Sequence, residues 1–155
     1  MAQSLNQFKQ TMEQGVMDMR FNTNVISCQI DPAEVGTLVP GQAVKIVNSA
    51  SGVPQVTAAT ADTDNIYGFI TFEQKKSVYK AGDVVDVAAM KDNVMYMTSS
   101  AAIARDAQVM VVIASKKVAT AAGAGKRIVG RAFDKASGAD ELIRVVIELP
   151  GAVVP

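Results

Sequence analysis

Leu142 to Leu149, LIRVVIEL, places Ile143, Val145, Ile147 and Leu149 on one face of an extended chain and Arg144 and Glu148 on the other. A period of two is the mark of a half-buried strand, and a chain that repeats it is committed to sheet. From about Val25 onward it is repeated. Ala43 to Val47, Ile66 to Phe72, Val84 to Ala88, Val94 to Thr98, Val109 to Ala114 and Ile128 to Ala132 are short apolar runs rich in valine and isoleucine. Pro40-Gly41, Ala50-Ser51-Gly52, Ala81-Gly82-Asp83, Gly123 to Gly125 and Ser137-Gly138 lie between them and supply turn chemistry. The spacing predicts an all-β fold, a small barrel or sandwich, as a single domain over residues 25–155. Helical periodicity is scarce there, which argues against alternating strands and helices around a parallel sheet.

The N-terminus differs. Leu5, Phe8, Met12 and Val16 recur at helical spacing behind a possible capping box of Ser4 and Gln7, with Gly15 weakening the end. The pattern predicts an arm or one short helix over residues 1–24, and a second single-turn candidate runs from Ser99 to Ala104. Methionine fills core gaps well, and that suffices for Met95 and Met97. A short apolar-striped arm ahead of a β-domain has little local core to join. Leu5, Phe8, Met12, Met17, Met19 and Phe21 are therefore interface candidates, packing either on a neighbouring subunit or back on their own barrel.

A weak internal echo is also present. Val44 to Val47, Val56 to Ala59 and Ile66-Tyr67-Gly68 read like Val109 to Val112, Val118 to Ala121 and Ile128-Val129-Gly130. Duplication and chance both account for it, because valine and alanine are common here.

One stretch resembles a nucleotide site. TAAGAGKR, Thr120 to Arg127, ends like a phosphate-binding loop, but Thr120 stands where the first glycine belongs and Arg127 where the magnesium-binding hydroxyl belongs. Such a loop opens a helix, whereas this one runs into the strand at Ile128. It is a glycine-rich turn, with Lys126 and Arg127 solvated or touching a partner. The absence of histidine removes the commonest general base and transition-metal ligand. Asp62-Thr63-Asp64-Asn65 starts like a calcium loop but continues with Ile66 and Tyr67 where a ligand and the turn glycine should be. Asp83 and Asp86 point to opposite faces of a strand. Cys28 has no partner and reads as a reduced thiol near an apolar strand face.

The 15 basic and 15 acidic residues cancel and are interspersed, so no strong field draws nucleic acid. No stretch reads as a signal peptide or a membrane span, which points to a cytosolic product. With 49% apolar residues but 5% aromatics, extended protein contact is a more natural use than stacking on a ligand. Catalytic, cofactor and metal residues are not expected, nor is a small-molecule substrate.

Gly41-Gln42-Ala43-Val44, Tyr67-Gly68-Phe69, Gly82 to Val87, Val129 to Ala136 and Leu142 to Ile147, in that order, resemble the capsid cement (head decoration) proteins of tailed bacteriophages. The resemblance covers roughly Val35 to Leu149. It implies a small β-barrel or tulip-like sandwich and a non-enzymatic role. Cement proteins commonly sit as homotrimers on the outside of the head, made in the host cytoplasm and bridging neighbouring major capsid proteins. Two departures stand out: the stretch before Val35 is longer than expected, and Arg105-Asp106 occupies the place of a Gly-Asp turn. Two other functions carry sequence support. One is a trimeric β-barrel enzyme of nucleotide metabolism, suggested by GAGKR and the Asp-rich turns; the other is a phage tail or baseplate component.

Overall fold

The computed structural model describes residues 13–155 apart from positions 19, 22, 48–51, 74–75 and 90. Five strands, β1 (Ile26–Ile30), β2 (Ala43–Val47), β3 (Gln55–Ala58), β4 (Gly68–Ile70) and β5 (Val84–Ala88), close a barrel in the order β1-β3-β2-β4-β5. Closure comes from β1, antiparallel to β5 and parallel to β3. Five more, β6 (Val94–Thr98), β7 (Gln108–Val112), β8 (Lys117–Thr120), β9 (Ile128–Ala132) and β10 (Leu142–Ile147), form a second sheet in the order β6-β10-β9-β7-β8. Its edge strands β6 and β8 meet at one parallel bridge, Ser99 to Val118. All-β is the outcome, as the alternation predicts.

The two units have one topology. Reading β1 to β5 as β6 to β10 converts every pairing of the barrel into a pairing of the sheet, the parallel contact included. The registers agree residue by residue. Phe69 faces Ala88 and Ile70 faces Val87, while Arg131 faces Val146 and Ala132 faces Val145. Leu38 and Tyr79 exchange backbone hydrogen bonds, as Ile103 and Ala136 do. The internal echo in the sequence therefore maps onto equivalent strands: Val44 matches Val109, Val56 matches Val118, and Gly68 matches Gly130.

That last pair shows why glycine recurs. A Cβ on Gly68 would lie 2.5 Å from Val87 Cγ1 and 2.7 Å from the Ala88 oxygen, and one on Gly130 would fall on the Val146 oxygen. Both strands press on the next at the same place. The turns correspond less literally. Gly41 (φ 78°) and Gly82 (φ 81°) are matched by Asp106 (φ 63°) and Asp140 (φ 64°), aspartate being a residue type that tolerates the left-handed region. Gly41 and Asp106 donate to the equivalent oxygens of Ile70 and Ala132, at 2.7 and 2.9 Å.

The interiors match too. Cys28, Ile30, Val44, Val56, Ile70, Tyr79 and Val85 line the barrel, and their counterparts Met97, Ser99, Val109, Val118, Ala132, Ala136 and Ile143 line the second sheet. Volumes trade rather than repeat: Tyr79 and Ile70 against two alanines, Cys28 and Val85 against Met97 and Ile143. The second core also takes in Ala43, Ile66, Phe69 and Ala88 from the outside of the barrel, so the two units are packed together.

Among the described residues there is no helix, where one short helix is predicted. Val16, the last residue of the helical stripe, closes a turn by donating to the Glu13 oxygen at 3.1 Å, and Gly15 within it has φ 88° and bonds to distant parts of the chain. The single-turn candidate fails for the same reason: Ser100 donates to Val118 and Ile103 to Ala136, so those amides serve strands rather than a helical turn. Leu5, Phe8, Met12 and Met19 lie outside the described residues.

Candidate interaction surfaces

The arm enters as a strand. Gly15 N–H donates to the Tyr96 oxygen, Tyr96 N–H to Val16 and Asp18 N–H to Val94, each at 2.8 Å, so residues 15–18 extend the free edge of β6. On its other side the Gly15 oxygen accepts from Phe72 N–H of the first barrel at 2.9 Å. A Cβ on Gly15 would stand 2.6 Å from Gly41 N, so the segment is a staple pressed between the two units. Val16 is buried. Met17 bridges to Met95 and packs against the second core. Of the two alternatives for the arm, this part folds back on its own chain.

Beyond the staple lies a charged network. The buried Asp18 carboxylate accepts from Arg20 Nη2 at 2.7 Å and Nε at 2.9 Å, with Arg144 Nη1 at 3.5 Å. Arg144 makes a two-pronged contact with Asp134, both bonds 2.7 Å. Bonding to Arg20 outweighs burial and holds the Asp18 carboxyl at about 2. Arg144 likewise lowers Asp134, and Asp134 raises Arg144. The Arg144 guanidinium lies 4.4 Å from the Phe133 ring centre and Arg105 lies 5.9 Å away, while Phe21 meets the ring edge-on at 5.5 Å. Phe21 remains 39% exposed, the one described apolar interface candidate with an open face. Distance along the chain hid this network: Asp18 and Arg144 are 126 positions apart.

Lys126 and Arg127 sit at a different junction. Asp62, between β3 and β4, accepts from Ile113 N–H at 3.0 Å and pairs with Lys126 at 3.2 Å, and its carbonyl accepts Arg127 N–H at 3.3 Å. The Ile113 amide is the main cause of the lowered Asp62 carboxyl. TAAGAGKR is a turn, Gly123 and Gly125 having φ 91° and 82°, and it leads into β9. Asp64 organises its own loop through Thr60 N–H, Ala61 N–H and Lys45, and the Thr60 amide is the first cause of its fall to about 2. Asp83 pairs with Lys76 and Asp86 with Ser27, on separate faces. Burial pushes the Cys28 thiol up, away from the thiolate form. Among the described residues, no group of three or more potential metal ligands converges. A hollow of about 180 Å³ is lined by Ile46, Ile66, Tyr67 and Leu149, and more open ones of about 400 and 410 Å³ lie beside Lys91 and Glu148 and beside Arg105, Phe133 and Arg144.

A family model for "Structural cement protein (E217 gp24/Pam3 gp6)" matches residues 4–148. The chain belongs to this family. The cement protein is thus a structural component of a phage particle and not an enzyme, as the sequence resemblance implies. Among solved structures it is similar to the N base of head fiber gp8.5 of bacteriophage phi29. The TM-score is 0.53 at 9% identity, over 81% of this chain and 93% of that one. At that identity the likeness is one of fold. No curated protein sequence matches the cement protein significantly.

Proposed function

We propose that this protein binds the outer surface of a phage head as a homotrimer and stabilises the shell by bridging neighbouring major capsid proteins. The family match over residues 4–148 carries the proposal. The physics is that of linked weak contacts. An interface of standard size removes about 1,600 Å² from water, and three tethered copies engage their sites at high effective concentration. Whatever binds only the assembled shell stabilises it by mass action. Residues 25–155 act as one β-body that spans the seam, and residues 1–24 as its tether. Leu5, Phe8 and Met12 are the contact residues proposed ahead of the staple, with Met19 and Phe21 after it.

Electron cryomicroscopy of undecorated heads mixed with purified protein tests this. Density for trimers on the outside, over seams between capsid subunits, is expected. Bare heads at saturating protein, or binding to tail structures instead, would sink it.

A further inference from the structure

The tandem relation marks a strand edge on the first barrel that has no strand partner among the described residues. In the second unit, Tyr96 N–H, Tyr96 C=O and Val94 C=O face away from β10 and are satisfied by residues 15–18. Register makes Ser27 the counterpart of Tyr96 and Val25 that of Val94, since Ile26 faces Val87 as Met95 faces Val145. Ser27 N–H, Ser27 C=O and Val25 C=O likewise face away from β5, toward the side on which β1 meets β3 only at Gln29 and Ile30. Among the described residues none of the three has a hydrogen-bond partner. Ser27 is exposed, as are Val25 (38%) and Val53 (49%) close by. An open strand edge with apolar flanks is a template for strand addition.

We infer that this edge of β1, Val25 to Ser27, receives an extended strand from residues 1–12 of a second copy of this chain. The occupied seat shows what a complete site contains: a strand edge on one side, the added strand, and a backing face on the other. In the chain's own seat the backing is Pro40–Gly41 with Phe72 N–H. The equivalent face of the second unit is Arg105–Asp106 with Asp134 N–H, which has no acceptor among the described residues. Arg105, Asp106 and Ser27 are all exposed in the single chain, so a second copy can bring this face to that edge. The contact is head-to-tail, and it closes into a ring when the rotation permits. Residues 1–12 precede the exposed Glu13 and reach about 40 Å when extended, enough to cross to a neighbour.

The inference deepens the homotrimer proposal and rests on it for the presence of a second copy. The test uses the full chain, a chain lacking residues 1–12, and Ser27→Pro, which removes the one N–H donor of the edge and the exposed hydroxyl bond to Asp86 while leaving the backbone bonds to β5. Molar mass by light scattering is read together with hydrogen exchange of the Ser27 amide over a range of concentrations. The expected result is an oligomer in which Ser27 exchange slows as assembly proceeds. Truncation should abolish both effects. Ser27→Pro should abolish assembly while its near-ultraviolet circular dichroism stays native; should Ser27→Pro misfold, the truncated chain decides alone. An oligomer whose Ser27 exchanges freely overturns the inference and leaves the trimer standing. Concentration-independent protection, meaning the chain fills its own edge, overturns it, as does a truncated chain that still assembles with Ser27 protected. A full chain that stays monomeric with Ser27 unprotected overturns both.

Discussion

The first barrel and the second unit keep the same inward positions and have opposite outsides. Val44, Val56 and Val87 have Val109, Val118 and Val145 as counterparts, and both glycines stand where one strand presses on the next. Outward positions diverge. Ala43 and Phe69 of the barrel are buried against the second unit, whereas their counterparts Gln108 and Arg131 are exposed, Arg131 lying 3.5 Å from Glu148. Topology fixes which positions point inward, and volume is traded among them so that the enclosed space stays filled. Neighbours fix the outer set. Two copies of one fold thus separate the residues that make the fold from those that decide what it touches.

The sharpest way to break this comparison is to exchange the outer residues. Phe69→Arg buries a charge and removes a packed ring, and should destabilise by about 4 kcal/mol or more. Arg131→Phe should change stability by less than about 1 kcal/mol while promoting association through the exposed ring. Urea unfolding with matched light scattering reads both. Equal costs would mean that the difference in environment does not explain the difference in residue. The glycines come next. Gly130→Ala should cost about 3 kcal/mol and Gly68→Ala somewhat less, because both meet a backbone oxygen but the collision at Gly130 is the closer. Reversal of that order would show that the two presses are not equivalent.

Much of the β architecture was legible because strand burial is written in local alternation, and β10 shows its period of two over the whole run. The duplication was visible only as an echo. Its proof lies in cross-strand register, which no local pattern carries, and substitutions such as Tyr79 against Ala136 and Gly41 against Asp106 erase the likeness at the very positions that are equivalent. The end of the arm departs from its pattern for a related reason. Val16 closes a stripe of helical spacing whose earlier members lie outside the described residues, and Tyr96 and Phe72 claim the backbone groups of Gly15 from far along the chain. Asp18 and Asp62 were not readable as junction residues, since their partners Arg144, Ile113 and Lys126 meet them only in the fold.

The charged network gives the comparison a pH dependence. Thr71, the counterpart of Phe133, carries no such cluster, so part of the acid sensitivity should lie where the staple joins the second unit. Asp18 is held at about 2 and Asp134 is also lowered, so the folded state binds protons less readily than the unfolded chain. Their stabilisation is complete above the unfolded value near 4 and is lost as pH falls from there toward about 2. Thermal unfolding temperature should be flat from pH 7 to about 5 and then drop. Asp18→Asn should cost about 1–2 kcal/mol at pH 7 and flatten the acid limb. An unchanged limb in that variant would place the acid sensitivity elsewhere, with Asp64 the next candidate.

The smallest effect separates charge from backbone at the junction of the two units. Lys126 and Asp62 are both partly solvated, with side chains 33% and 27% exposed, so the ion pair alone should contribute less than about 1 kcal/mol. The Ile113 amide has Asp62 as its acceptor, and losing that acceptor leaves a partly buried donor unpaired. Lys126→Ala should therefore be nearly silent, and Asp62→Ala should cost about 1–2 kcal/mol. The double variant should match Asp62→Ala within about 0.5 kcal/mol, because little coupling remains once the carboxylate is gone. A Lys126→Ala loss as large as that of Asp62→Ala would mean that charge, rather than the hydrogen bond to the Ile113 backbone, holds this corner of the junction together.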